Sequence, residues 1–208
     1  MGYQAMRDAY SRMAERYIDL FDNDPQAHEP DTAFVRRHLA ALPGAVLDVG
    51  CGPGQWTADL HSLGVDVAGI DVVPEFIAHA RATHPGPEFR LCSMTELDLP
   101  DHSLSGILAW YSTIHLPPPE LDPVLSRFRQ LLRPSGVLVA GFFDSDDDVA
   151  AFDHKVVTAY RWPVDVFAQH LAAAGFTEVQ RLRQRLPERP DRAYAAIAAR
   201  VPDALVQG

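Results

Sequence analysis

A chain of 208 residues with 47% hydrophobic content is long enough for one well-filled domain and short for two. Its formal charge of -10 repels phosphate backbones and anionic membrane surfaces, which sets nucleic acid and membranes aside as partners. No apolar run approaches the roughly 20 residues of a membrane span, and Arg7, Asp8, Arg12, Glu15 and Arg16 interrupt the first turns, so the expectation is a soluble, cytoplasmic protein.

From Tyr3 to Phe21, the residues Met6, Tyr10, Met13, Tyr17 and Leu20 recur at three- and four-residue steps, which predicts an amphipathic helix ended by Asp22, Asn23, Asp24 and Pro25. A second helix is expected from an Asp31 cap through Phe34, Val35, His38 and Leu39 to Leu42, stopped by Pro43 and Gly44. Ala45 to Val49 then reads as a strand running into VGCGPG, with glycines at 50, 52 and 54 and a helix beyond them over Trp56 to Leu63. Glycine is the residue that lets a backbone take positive φ or lie against a ligand, and a helix N-terminus offers free N–H groups. Strand, glycine turn and helix together make either a small-molecule cradle or an ordinary Gly-rich turn. Asp48, a carboxylate inside the strand end, is costly there without a task.

Further units follow the same alternation. A strand at Val65 to Ile70 precedes a helix begun by Pro74, and a third strand covers Glu88 to Leu91. A fourth covers Leu104 to Trp110, and a helix from about Leu121 to Leu132 leads into a fifth at Gly136 to Phe143, whose apolar run suits cover on both faces. Alternating strands and helices predict a parallel sheet with helices on either side. An extra strand around Val156 to Trp162 and a helix from Pro163 to Ala174 come next. Two strands without a helix between them, Thr177 to Leu186 and Arg192 to Arg200, then read as an antiparallel hairpin on the sheet edge.

Here the chain resembles the class I S-adenosylmethionine-dependent methyltransferases. Their first motif is an acidic residue followed by Gly-x-Gly-x-Gly, as in Asp48 to Gly54, where nicotinamide and flavin folds have Gly-x-Gly-x-x-Gly. The resemblance covers roughly Ala45 to Arg200. It implies a Rossmann-like, doubly wound, mostly parallel seven-stranded sheet with a C-terminal antiparallel hairpin. Residues 1–43 would form a helical lid, 44–200 a cofactor-binding core and 201–208 a tail, all within one domain.

The same resemblance assigns residues. Asp48, Gly50, Cys51, Gly52, Gly54 and Trp56 would line the S-adenosyl-L-methionine cradle. Asp71, ending the second strand in an open sheet whose ligands lie beyond the carboxyl ends, would hold the ribose hydroxyls with Val72 against the adenine; its other reading is a cap for the helix at Pro74. Ser93 and Met94 stand where many members carry an adenine-binding Asp that this chain lacks. Trp110 would line the methionine moiety, while Tyr111 and His115 face the acceptor. His115 would act as a base on a hydroxyl, or else cap a helix or bond a backbone carbonyl. Tyr10 and Tyr17 lie on the helical stripe that would close over the cofactor, which plain core packing also explains.

No metal is expected. Glutamates that some relatives place around the histidine are replaced here by Thr113 and Ile114, and Asp144, Asp146, Asp147 and Asp148 read as a solvated acidic turn before a cation site. Arg181, Arg183 and Arg185 alternate on one strand face and are expected to meet water. The implied function is methyl transfer to a small-molecule acceptor, with a hydroxyl oxygen preferred. A protein or other N-methyltransferase and a non-catalytic S-adenosylmethionine-binding protein stand as alternatives. The acceptor and the oligomeric state are not written in the residues.

Overall fold

The computed structural model describes residues 3–22, 29–154, 157–185 and 192–203. In chain order the elements are α1 (Tyr3–Asp22), α2 (Glu29–Leu39), β1 (Val46–Val49), α3 (Gln55–Ser62), β2 (Val67–Asp71), α4 (Pro74–Thr83), β3 (Glu88–Leu91) and β4 (Leu104–Trp110). Then come a 3-10 turn (Thr113–His115), α5 (Pro118–Leu131), β5 (Leu132–Asp144), β6 (Ala150–His154), β7 (Val157–Trp162), α6 (Val164–Ala173), β8 (Thr177–Arg185) and β9 (Ala193–Arg200).

β3, β2, β1, β4 and β5 pair in parallel in that order, and β9 joins β5 antiparallel with β8 outside it. This is the expected Rossmann-like sheet with its antiparallel ending. Its two faces follow from the period of two along β5. Val137 and Val139 pack with Phe34, Val35 and Leu39 of α2 on one side. Leu138, Ala140 and Phe142 pack with Leu125, Phe128 and Leu131 of α5 and Phe167 of α6 on the other. The buried positions of α5 recur every three or four residues, and that single apolar stripe docks it.

Several boundaries differ from expectation. α5 begins at Pro118, because proline suits the first helical position, and β5 begins at Leu132, since the Pro134–Gly136 break is a register shift rather than a loop. α2 begins at Glu29, so Asp31 lies inside its first turn instead of capping it. Residues 23–25, Val156 and Leu186 fall outside the described residues.

The larger difference is a hairpin. β6, unforeseen in the sequence, pairs antiparallel with β7, and β7 joins β5 in parallel at Phe143 and Asp144. The β4 partners on β5 stop at Gly141, so the hairpin fills the place beyond the end of β4. It therefore adds two strands to the expected seven and walls the carboxyl end of the sheet. α1 lies over the same end. Its Tyr10 and Ala14 bury against Val73 and Phe76 of the β2–α4 segment and Val157 of β7, and Ser11 Oγ donates to Glu75 (2.8 Å). Among the described residues no helix is long and apolar enough to cross a membrane.

Candidate functional site

At the end of β1 the chain turns sharply because the amides of Gly50 and Cys51 both donate to the Ile70 carbonyl (2.8 and 2.9 Å). Gly50 and Gly54 have φ of 76° and 98°. A side chain at Gly50 would overlap the Ser112 Cβ, and one at Gly54 would come 2.9 Å from the Phe89 ring. At Gly52 the corresponding direction is open, so the loop presents bare backbone toward free space. Cys51 points the other way: its thiol side packs with Ile77, Ala80 and Phe89, and burial raises its pKa.

Two buried carboxylates brace this loop. Asp48 accepts from the Thr57 hydroxyl (2.7 Å), which ties β1 to α3, and burial pushes its pKa up to about 7 against that hydrogen bond. Asp71 accepts from the Gly52 amide (2.9 Å) through one oxygen and from the Val72 and Val73 amides (2.7 and 2.9 Å) through the other. Burial raises its pKa as well. Asp71 thus caps the α4 entry and holds the glycine loop at once. A carboxylate has about four acceptor directions, so three amides leave it able to take a ligand hydroxyl.

Val72 packs into the α1 cluster. Ser93 is buried and shares its hydroxyl with Thr95 Oγ1 (2.8 Å) and the Thr95 amide (3.1 Å), while Met94 lies against the main core. The Trp56 and Trp110 rings meet edge to face at 5.4 Å, and Trp110 covers Gly141, where a Cβ would come 2.8 Å from the indole.

His115 and Tyr10, 105 residues apart, meet beyond the end of β4: Tyr10 Oη lies 2.8 Å from His115 Nε2. The other ring nitrogen, Nδ1, lies 3.3 Å from the Thr158 carbonyl of β7. A carbonyl only accepts, so Nδ1 carries the proton and Nε2 accepts from the Tyr10 hydroxyl. Burial, together with His154 nearby, lowers the His115 pKa to about 4 and keeps the ring neutral. Burial raises the pKa of both Tyr10 and Tyr17, with Tyr17 and the Asp71 charge adding for Tyr10 and the Asp71 charge adding for Tyr17. Tyr111 stands apart from this group. It holds a left-handed backbone (φ 53°), and its ring packs on Phe143 (5.1 Å) and Tyr194 (6.3 Å) rather than on His115.

Of the acidic turn after β5 only Asp144 is buried, while Asp146, Asp147 and Asp148 are exposed as expected; the arginines of β8, though half-exposed, pair with carboxylates rather than simply meeting water. Arg183 donates to the buried Asp144 (2.7 Å), which also accepts from the Val164 amide at the start of α6, and Asp146 pairs with Arg185. Arg181 pairs with Glu178 and Asp165 (2.6 Å each). Alternation along β8 put the arginines on one face, and their carboxylate partners come from the turn after β5, from Asp165 of α6 and from Glu178 on β8 itself. Among the described residues no cluster of His, Cys, Asp or Glu is arranged to hold a metal ion.

Sequence reasoning passed over Gln55, Ser112 and Thr158. The first two carry buried polar atoms, Gln55 Nε2 and Ser112 Oγ, without a protein partner. Gln55 follows Gly54 at the start of α3 and Ser112 sits against Gly50, so both donors lie beside the glycine loop. Donors lacking partners, bare glycine backbone and a buried carboxylate able to accept more hydrogen bonds suit a polar nucleoside-type ligand.

Fold and site together define a Rossmann-like cofactor-binding enzyme. A methyltransferase-domain family model matches residues 46–136. The chain is 28% identical over 183 residues to a phosphatidylethanolamine N-methyltransferase of Cereibacter sphaeroides, covering 83% of this chain and 89% of that protein. It is also 28% identical over 144 residues to a ubiquinone biosynthesis O-methyltransferase of Xanthomonas campestris, with 65% and 59% covered. Among solved structures it resembles the Burkholderia thailandensis 1,6-didemethyltoxoflavin-N1-methyltransferase with bound 1,6-didemethyltoxoflavin and S-adenosylhomocysteine. That match has a TM-score of 0.80 and 28% identity over 96% of this chain and 88% of the other. Together these findings support a class I S-adenosylmethionine-dependent methyltransferase with S-adenosylmethionine as its cofactor.

Proposed function

We propose that the protein methylates a hydroxyl oxygen of a small molecule, with α1 closing as a lid over a cofactor core spanning residues 44–200, while α2, expected as part of that lid, packs on the sheet through Phe34, Val35 and Leu39. Asp71 would take the ribose hydroxyls, with Val72, Ser93 and Met94 at the adenine. The Asp48-braced loop with Gly50, Cys51, Gly52, Gly54 and Trp56 would cradle the rest together with Trp110, and Gln55 and Ser112 would donate to the amino-acid end. Bound S-adenosylmethionine supplies a methyl group on a sulfonium sulfur that departs with the electron pair of the broken bond.

The observation that carries the oxygen reading is the Tyr10–His115–Thr158 chain. Thr158 fixes the tautomer, so a lone pair of neutral His115 is held against Tyr10 Oη. Tyr10 can take the acceptor proton as its own moves to Nε2, with no net charge left on the phenol. A base with pKa near 4 cannot strip an ammonium of pKa about 10. It acts instead on a proton that becomes strongly acidic as the oxygen–carbon bond forms, which is the situation of a hydroxyl. Alignment supplies most of the rate and the base adds roughly 10²- to 10⁴-fold. Tyr111, turned to the aromatic wall, would contact the acceptor without moving a proton.

Nitrogen is the second reading, favoured by the relatives named as N-methyltransferases. A ring N–H that acidifies during transfer would suit the same base. Replacing His115 by Gln tests the role: turnover should fall at least tenfold with S-adenosylmethionine affinity within about twofold of the parent. Unchanged turnover removes His115 from the mechanism.

A further inference from the structure

The β6–β7 hairpin brings an arginine into the acceptor side of the site. Arg161 is half-buried on β7, and its guanidinium carbon lies 4.5 Å from the centroid of the Phe152 ring on β6. Arg36, Arg127, Arg181, Arg183 and Arg185 each hold a carboxylate. Among the described residues Arg161 holds none; the Phe152 face alone orients it.

Its surroundings are aromatic. Phe152 meets Phe143 edge to face at 5.2 Å, Phe143 meets Tyr194 at 5.6 Å and Tyr111 at 5.1 Å, and Phe152 leads through His154 to His115. Phe152, Tyr111 and Tyr194 are only partly buried, so these rings form a wall rather than a sealed core. Flat rings offered in edge-to-face geometry receive another flat ring well. Along β7, Arg161 comes three residues after Thr158, which holds His115, about 10 Å further along the extended strand. A molecule of one or two rings spans that distance. The chain carries a formal charge of -10, whose field disfavours an anionic ligand unless a local cation receives it.

Resting on the oxygen reading above, we propose that the acceptor is a hydroxylated aromatic molecule bearing a carboxylate or similar anionic group, its ring against Phe152 and Phe143 and its anion on Arg161. Arg161 is then a specificity-determining residue. Its fork matches a carboxylate in two hydrogen bonds, which a lysine cannot reproduce.

The test is calorimetric titration of the full chain, saturated with S-adenosylhomocysteine, using 3,4-dihydroxybenzoate, 4-hydroxycinnamate and the methyl ester of each. The parent should bind at least one acid tenfold or more tighter than its ester. Arg161→Met should abolish that preference without weakening ester binding, Arg161→Lys should keep part of it, and S-adenosylhomocysteine affinity should be unchanged in both. Equal binding of acid and ester by the parent, an equal loss of both in Arg161→Met, or binding of none of the four overturns the proposal. Because binding is read separately from transfer, a bound acid methylated away from oxygen would overturn the oxygen reading and leave the Arg161 assignment standing.

Discussion

Replacing Tyr10 by Phe removes one oxygen from α1 and leaves both aromatic surfaces in place. The lost hydrogen bond, 2.8 Å to His115 Nε2, is partly buried, and its removal leaves an imidazole lone pair without a donor. An orphaned polar atom of this kind costs about 1–3 kcal/mol. Partial access to water at His115 puts the expected value near the lower half, about 1–2 kcal/mol, or a 5- to 30-fold rise in the population with α1 detached. The contacts of Ala14 with Val73 and Phe76 and the Ser11–Glu75 hydrogen bond stay, so the loss is confined to α1. Native-state hydrogen exchange on the cofactor-free protein reads this directly: α1 amides should lose protection by that factor while β4 and β5 amides keep theirs. Adding His115→Gln to Tyr10→Phe should cost much less than the two single losses combined, because they share one interaction. Unchanged α1 protection, or an equal loss in α1 and β5, would refute the claim that the Tyr10–His115 hydrogen bond holds α1 in place.

Acid and base titrations give two opposed signatures. His115 has a folded pKa of about 4, below the ordinary 6.5, so the unfolded chain binds the extra proton and its contribution to stability is lost as pH falls from about 6.5 to 4. Asp48, at about 7 when folded against 3.8, does the reverse: the folded chain holds the extra proton, and stability is lost as pH rises through that window. Urea midpoints at pH 5 and 7 should therefore show His115→Gln gaining on the parent at pH 5 relative to pH 7, and Asp48→Asn gaining at pH 7 relative to pH 5. The same sign in both variants would contradict the burial of these groups. Asp71→Asn leaves one acceptor oxygen for amides on both sides of the carboxylate, which should cost about 1–3 kcal/mol and weaken S-adenosylhomocysteine at least tenfold by calorimetry. A destabilised variant with parental affinity would reduce Asp71 to a helix cap.

The sheet was legible because its strands announce themselves twice, by apolar runs and by the glycines and prolines between them. The cofactor loop was legible for the same reason: Gly50, Gly52 and Gly54 directly after a strand leave few other backbone paths. β6 was hidden because Ala150, Ala151 and Asp153 are largely exposed residues ordered by their pairing with β7, which no local pattern records. Periodicity put Tyr10 on the buried stripe of α1 but could not say that His115 lay opposite. Thr158 acts through its backbone carbonyl, which leaves no mark in residue type. Arg161, in a strand otherwise read for its apolar residues, shows its meaning only once β6 brings Phe152 beneath it.

Oxygen methylation is the central claim, and the position of a labelled methyl group tests it most directly. The full chain would be incubated with trideuteromethyl S-adenosylmethionine and a hydroxylated aromatic acid that it binds, and the product examined by mass spectrometry and carbon NMR. The account predicts a trideuteromethoxy group, formed at least tenfold more slowly by His115→Gln. Label on nitrogen or carbon, or a methoxy product formed as fast without the histidine, would contradict it.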